Sequence, residues 1–111
     1  MEITFSTTKL GKLCNSDSKL RGDYGVKMAA KIQQRLFEMR SAATLEILRT
    51  LPGPRCHELT NDRKGQLAVD LIQPHRLIFV PDHSPMPLKQ DGGLDWSKVT
   101  KIEVVEIINY H

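Results

Sequence analysis

Apolar residues recur along this chain with two different periods, and the change of period divides it into a helical part and a strand-forming part. Ile3 and Phe5 alternate with polar neighbours and predict a short opening strand. The stretch from Ser6 to Asp23 is polar, with Leu10 and Leu13 at helical spacing, which predicts a short helix. Gly25, Ala29, Ile32, Leu36, Met39 and Ala43 then fall at alternating steps of four and three, so they share one face of an amphipathic helix. Lys27, Lys31, Gln34, Arg35 and Glu38 occupy much of the remaining circumference and predict a basic outer side. Leu45, Leu48 and Leu51 carry the pattern into a second short helix. Leu51-Pro52-Gly53-Pro54 stops it, because proline lacks the N–H and fixes φ while glycine permits the turn.

Beyond this stop the period is that of strands. Leu67, Val69 and Leu71 alternate with Ala68, Asp70 and Ile72; Gln73-Pro74-His75 reads as a turn, and Arg76 to Val80 as the return strand. Pro81 to Ser97 holds three prolines and two glycines with little periodicity, which predicts a surface excursion. Thr100 to Ile108 is a β-branched strand whose alternation slips at Val104-Val105, predicting either burial on both faces or a bulge. Helices grouped before a run of strands predict an α+β domain, with N-terminal helices packed on a mainly antiparallel sheet.

Composition narrows the class. The 111 residues, 40% hydrophobic, suit one domain with one core. No apolar run approaches the ~20 residues of a membrane span. The opening residues lack a basic segment followed by an apolar one, so no secretory signal is expected. Cys14 and Cys56 form no C-x-x-C pair and read as two buried thiols, which together predicts a cytoplasmic protein. Net charge is +3, falling from +4 over residues 1–40 to +1 over 41–80 and −2 over 81–111. That gradient is compatible with an anionic partner, although solvated surface produces the same imbalance.

The reactive side chains gather in two segments. Cys56-His57-Glu58-Leu59-Thr60-Asn61-Asp62-Arg63-Lys64-Gly65-Gln66 precedes the first hairpin strand, and Asn109-Tyr110-His111 follows the last strand. Arg76 adds a further contributor. These residue types suit cleavage of RNA without a metal. The 2′-OH of the substrate is the nucleophile, so the enzyme supplies a base, cations for the phosphate and an acid for the 5′-oxygen. Histidine serves either proton transfer, arginine matches phosphate with a bidentate fork, and tyrosine stacks on a splayed base. No phosphate-binding glycine loop, H-E-x-x-H motif or zinc-ligand spacing is present, so no metal is expected. Each feature also has a plain structural reading: a loop histidine, a charged turn at Asp62 to Gly65, a frayed Tyr-His end. His75 and His83, beside prolines, read as structural.

Considered jointly, the segments carry a resemblance that covers nearly the whole chain. Leu51-Pro52-Gly53, then His57-x-Leu59-x-x-Asp62-Arg63-Lys64-Gly65-Gln66, then Arg76-Leu77-Ile78-Phe79 and the closing Asn109-Tyr110-His111 resemble the HigB-type branch of the RelE/ParE toxins. The helical run from Tyr24-Gly25 through Ala29-Ala30-Lys31-Ile32 to Arg35-Leu36 is similar to that family too. The resemblance implies a microbial-RNase-like α+β fold over residues 1–111. It implies cleavage of mRNA in the ribosomal A site with no cofactor. It also implies neutralisation by a helix-turn-helix antitoxin of the HigA kind, through which alone operator DNA is bound. His57, Arg76, Tyr110 and His111 match the family's catalytic positions, and Lys64, Arg63 and Asn109 are the implied RNA contacts. A ParE-like inhibitor of DNA gyrase on the same fold, or a non-catalytic RNA- or protein-binding relative, are the alternatives. Two departures stand out: Asn109 replaces the family's usual acid, and the Pro81–Ser97 excursion is longer than the common turn.

Overall fold

The computed structural model describes residues 1–110. Strand β1 (Glu2–Phe5) leads into helices α1 (Thr8–Cys14), α2 (Asp17–Ser41) and α3 (Leu45–Arg49). Strands β2 (His57–Glu58), β3 (Leu67–Asp70), β4 (His75–Pro81) and β5 (Lys101–Asn109) follow. They form one five-stranded sheet in the order β1-β5-β4-β3-β2, antiparallel except for the parallel pairing of β1 with β5. The expected α+β arrangement is present. No helix is long and apolar enough to cross a membrane among the described residues.

The three helices begin at caps that the sequence supplies. Thr7, Ser16 and Thr44 each accept a hydrogen bond from the backbone N–H three residues on, satisfying an N–H that the first turn leaves without a partner. Ile32, Leu36 and Met39 of α2 and Leu45 and Leu48 of α3 pack on Leu67, Val69, Leu77, Phe79, Ile102 and Val104 of one sheet face. The opposite face carries a smaller cluster of Leu59, Ala68 and Ile78, with Val105 and Ile108 against it. The slip at Val104-Val105 is a bulge: Ile78 pairs with Glu106 while Phe79 pairs with Val104.

Four expectations need correction. Gly25 is not on the buried face of α2; it is exposed and breaks the helix with φ 82° and ψ 167°. Ala43 lies beyond the helix end and is exposed. Arg35, expected on the outer side, is 5% exposed. Its Nε donates to the Asp70 carbonyl (2.6 Å), one Nη to the Gly53 carbonyl (3.0 Å) and the other to Glu38 (2.8 Å). A long amphipathic side chain can thus occupy a core position once each of its three nitrogens has an acceptor. Finally, the Pro81–Ser97 excursion is not wholly on the surface. Pro81 ends β4, and Trp96 is buried beneath the Arg49 guanidinium, 4.1 Å from the ring centre.

Candidate active site

The sheet face away from the helices gathers most of the singled-out residues. Directly opposed residues of antiparallel strands project to the same side. His57, Ala68, Ile78 and Glu106 therefore form one row across four strands, and Asp70, Arg76 and Ile108 form the next. Standard strand spacing puts the Cα atoms of His57 and Arg76 about 12 Å apart. Their side chains flank this face from two sides.

His57 is half-buried, and its Nδ1 lies 2.7 Å from the Arg55 carbonyl. A carbonyl only accepts, so this bond requires the hydrogen on Nδ1 and leaves the lone pair of the neutral ring on Nε2. Arg55 itself has φ 48°, a conformation uncommon for a side chain of its size.

Arg76 is held between an aromatic ring and a carboxylate. Its guanidinium carbon lies 4.2 Å from the centre of the Tyr110 ring, and its Nε lies 3.6 Å from Asp70 Oδ1. That Nε is the only buried side-chain nitrogen or oxygen without a hydrogen bond among the described residues. Asp70 in turn accepts from Arg55 Nε at 2.7 Å and from its Nη at 3.2 Å. The Tyr110 backbone N–H donates to the Pro74 carbonyl at 3.0 Å, which ties the end of β5 to the β3–β4 turn. Tyr110 is thereby positioned by main chain, while 40% of it remains exposed.

A cleft of about 810 Å³ opens beside Tyr110. Arg63, Asn109, Glu106 and Ile108 contribute to its wall, together with the turn Thr60–Asp62. Arg63 is engaged there: Nη1 donates to Glu106 at 2.7 Å and to Gln66 at 3.0 Å. Lys64 is exposed and lines a different cavity, of about 450 Å³, between Leu59 and the excursion. The adjacent turn residues thus face separate spaces. His57 belongs to the same sheet face but not to the cleft wall. His111 lies outside the described residues.

Sequence reasoning missed Asp70, Arg55 and Glu106. Asp70 carried a usable signal, since a carboxylate inside an apolar hairpin strand falls opposite Arg76 once the pairing is counted outward from the turn. Arg55 carried none, because its contact depends on the loop after α3.

The two histidines read as structural have structural partners. His75 meets the Tyr24 ring edge-on at 6.5 Å, and His83 Nε2 accepts from the backbone N–H groups of Thr100 and Lys101 at 3.0 and 3.3 Å. Both cysteines are buried and free. Burial pushes the Cys14 thiol up to about 11 and the Cys56 thiol up to about 12, so neither is a nucleophile at neutral pH. No three His, Cys, Asp or Glu side chains converge as a metal site among the described residues. No protein-family model matches the chain, and no curated protein matches it.

Proposed function

We propose that the chain is the toxin of a type II toxin–antitoxin system, a HigB-like member of the RelE/ParE superfamily that cuts mRNA on the ribosome. The observation that carries this reading is the gathering of His57, Arg76 and Tyr110 on one open sheet face, at the positions the motif resemblance marks. In this reading His57 Nε2 takes the proton of the 2′-OH, whose oxygen attacks the phosphorus. The P–O5′ bond breaks, His111 gives a proton to the leaving oxygen, and the products are a 2′,3′-cyclic phosphate and a 5′-hydroxyl. Arg76 stabilises the charge on the phosphate, and Tyr110 stacks on a base. Lys64, facing its separate cavity, contacts RNA outside the scissile step. No cofactor takes part. The partners are the ribosome with its mRNA and a HigA-like antitoxin that supplies the operator-DNA contacts; the setting is the cytoplasm.

Induction in a bacterial host tests it. Growth should stop and translated messages should shorten, with new 5′ ends mapped by primer extension. His57→Ala, Arg76→Ala and His111→Ala should each reduce cleavage by about 10²–10⁴-fold, the usual scale for a lost acid, base or charge stabiliser. Arg63 on the cleft wall is already paired with Glu106 and is not an open cation for phosphate, which favours a second reading: ParE-like inhibition of DNA gyrase. Undiminished toxicity of the His57→Ala and His111→Ala variants, with induction of DNA-damage signalling, would select it.

A further inference from the structure

Arg55 touches both of the reactive side chains that flank the open sheet face, one directly and one through a carboxylate. It stands in the loop between α3 and β2, in a left-handed conformation (φ 48°) that a long side chain keeps only where its surroundings enforce it. They do so here. The Asp70 N–H donates to the Pro54 carbonyl at 2.8 Å, and Arg35 spans from the Gly53 carbonyl (3.0 Å) to the Asp70 carbonyl (2.6 Å). Cys56, the next residue, is buried in the core. The loop is thus fixed to β3 ahead of Arg55 and to the core behind it.

The main chain and the side chain of Arg55 then act on different partners. Its carbonyl accepts from His57 Nδ1–H at 2.7 Å, which leaves Nε2 as the basic nitrogen. Its guanidinium meets Asp70 as a two-point fork, with Nε 2.7 Å from Oδ2 and Nη2 3.2 Å from Oδ1. Arg76 Nε stands 3.6 Å from the same Oδ1, near enough for an ion pair but without a hydrogen bond. Two guanidiniums therefore compete for one carboxylate, and the one that loses is the one stacked on Tyr110. A positive charge is left over on the open face.

We infer that Arg55 is a positioning residue of the candidate site. It occupies Asp70 so that Arg76 stays free to take a phosphate, and its carbonyl holds His57 in the tautomer that accepts a proton. Without the fork, Asp70 turns to Arg76, because its side chain is only 12% exposed and a charge-assisted bond is the way to satisfy it. Arg76 is then neutralised and drawn off the Tyr110 ring. Holding the loop does not require the Arg55 side chain, since Pro54, Arg35 and Cys56 already anchor it. The inference rests on the RNA-cleavage reading for the chemistry that the arrangement serves.

The test uses the full chain with ¹⁵N-labelled arginine and histidine. Arg55→Gly removes the fork, suits the left-handed φ and keeps the carbonyl. Arg55→Lys keeps the charge but offers only one point of contact. The Arg76 Nε–H resonance, assigned by its loss in Arg76→Lys, should lie upfield in the native chain because the Tyr110 ring shields it. In Arg55→Gly it should move downfield and exchange with water at least about tenfold more slowly as it bonds to Asp70, with Arg55→Lys in between. Adding Asp70→Asn to Arg55→Gly should reverse most of this change, since a neutral amide is the weaker acceptor. Cleavage of mRNA on programmed ribosomes should follow the spectra: kcat falls by about 10–100-fold in Arg55→Gly with KM within about twofold, and recovers in part in the double variant. An Arg76 resonance unmoved in both single variants, a change that Asp70→Asn does not reverse, or a native His57 protonated on Nε2 would each overturn the inference. A native chain that cuts no message would refute the RNA-cleavage reading alone, because the spectra decide the positioning without it.

Discussion

Asp70 governs the position of the arginine on which the candidate site turns. One carboxylate is shared by Arg55 and Arg76 while its own backbone carbonyl holds Arg35. Asp70→Asn keeps the shape and removes the charge, leaving two arginines facing each other. Arg55 is 56% exposed at the side chain and relaxes into solvent, so its share is small; Arg76, at 20%, cannot relax as freely. A loss of about 1–3 kcal/mol is expected, read from the midpoint of urea denaturation. The two thiols define a pH window. Their folded values are raised above the ordinary 9.0, so the unfolded chain ionises first as pH rises and stability falls between pH 9 and about 11–12. Full stability from the thiols is present below pH 9. Each thiol costs roughly 1.4 kcal/mol per pH unit within its window. Comparing urea midpoints at pH 8 and pH 10 with those of a Cys14→Ala, Cys56→Ala double variant isolates this contribution: the native chain should lose more stability over that interval than the variant.

Gly25 shows why the longest helix was legible only in part. The four-three spacing located the buried face correctly through Ala29, Ile32, Leu36 and Met39, but counted Gly25 as one more helical position. Its φ of 82° with ψ of 167° belongs to a region open almost only to glycine, and periodicity carries no information about a single backbone dihedral. A Cβ at Gly25 meets no atom within 4 Å, so Gly25→Ala tests conformation without steric conflict. The expected cost is about 1–3 kcal/mol by thermal or urea unfolding, and an unchanged midpoint would mean that the bend relaxes into continuous helix. Arg35 was misplaced for a different reason. Residue type argued for solvent, whereas its donors are consumed by carbonyls from a loop and a strand that lie far off in sequence. Strand β2 is two residues long and holds only through its partner β3, so no periodicity could reveal it. In the candidate site, His57, Arg76 and Tyr110 were legible because they flank recognisable elements. Asp70 was legible only by counting the hairpin pairing outward from its turn, and Glu106 was not, because its place depends on the register across the β5 bulge.

At the scale of the whole molecule, the excursion after β4 connects the fold's two ends of interest. It departs at Pro81, forms a small hairpin with a Leu88–Leu94 bridge, and returns to the core through Trp96. Lys89 and Gly93 close the hairpin through a 2.7 Å backbone bond, and the Asp95 N–H donates to the Pro87 carbonyl at 2.9 Å. Met86, Leu88 and Leu94 line one side of a cavity whose other side is Leu59, Lys64 and Leu67, so the hairpin covers the turn that carries Arg63 and Lys64. The Pro87–Asp95 bond brings the base of the hairpin to the spacing of a β-turn, in which the first carbonyl accepts from the fourth N–H. Replacing Leu88 to Leu94 by Gly-Gly preserves that closure and removes only the cover. Leu88 is 56% exposed and Leu94 half-buried, so the loss should be about 1–2 kcal/mol, well short of unfolding. Hydrogen exchange should quicken at the amides of Lys64 and Gln66, whose partners lie within the turn, and stay unchanged in β5. Quickened exchange throughout the sheet would show instead that the excursion is an integral part of the core.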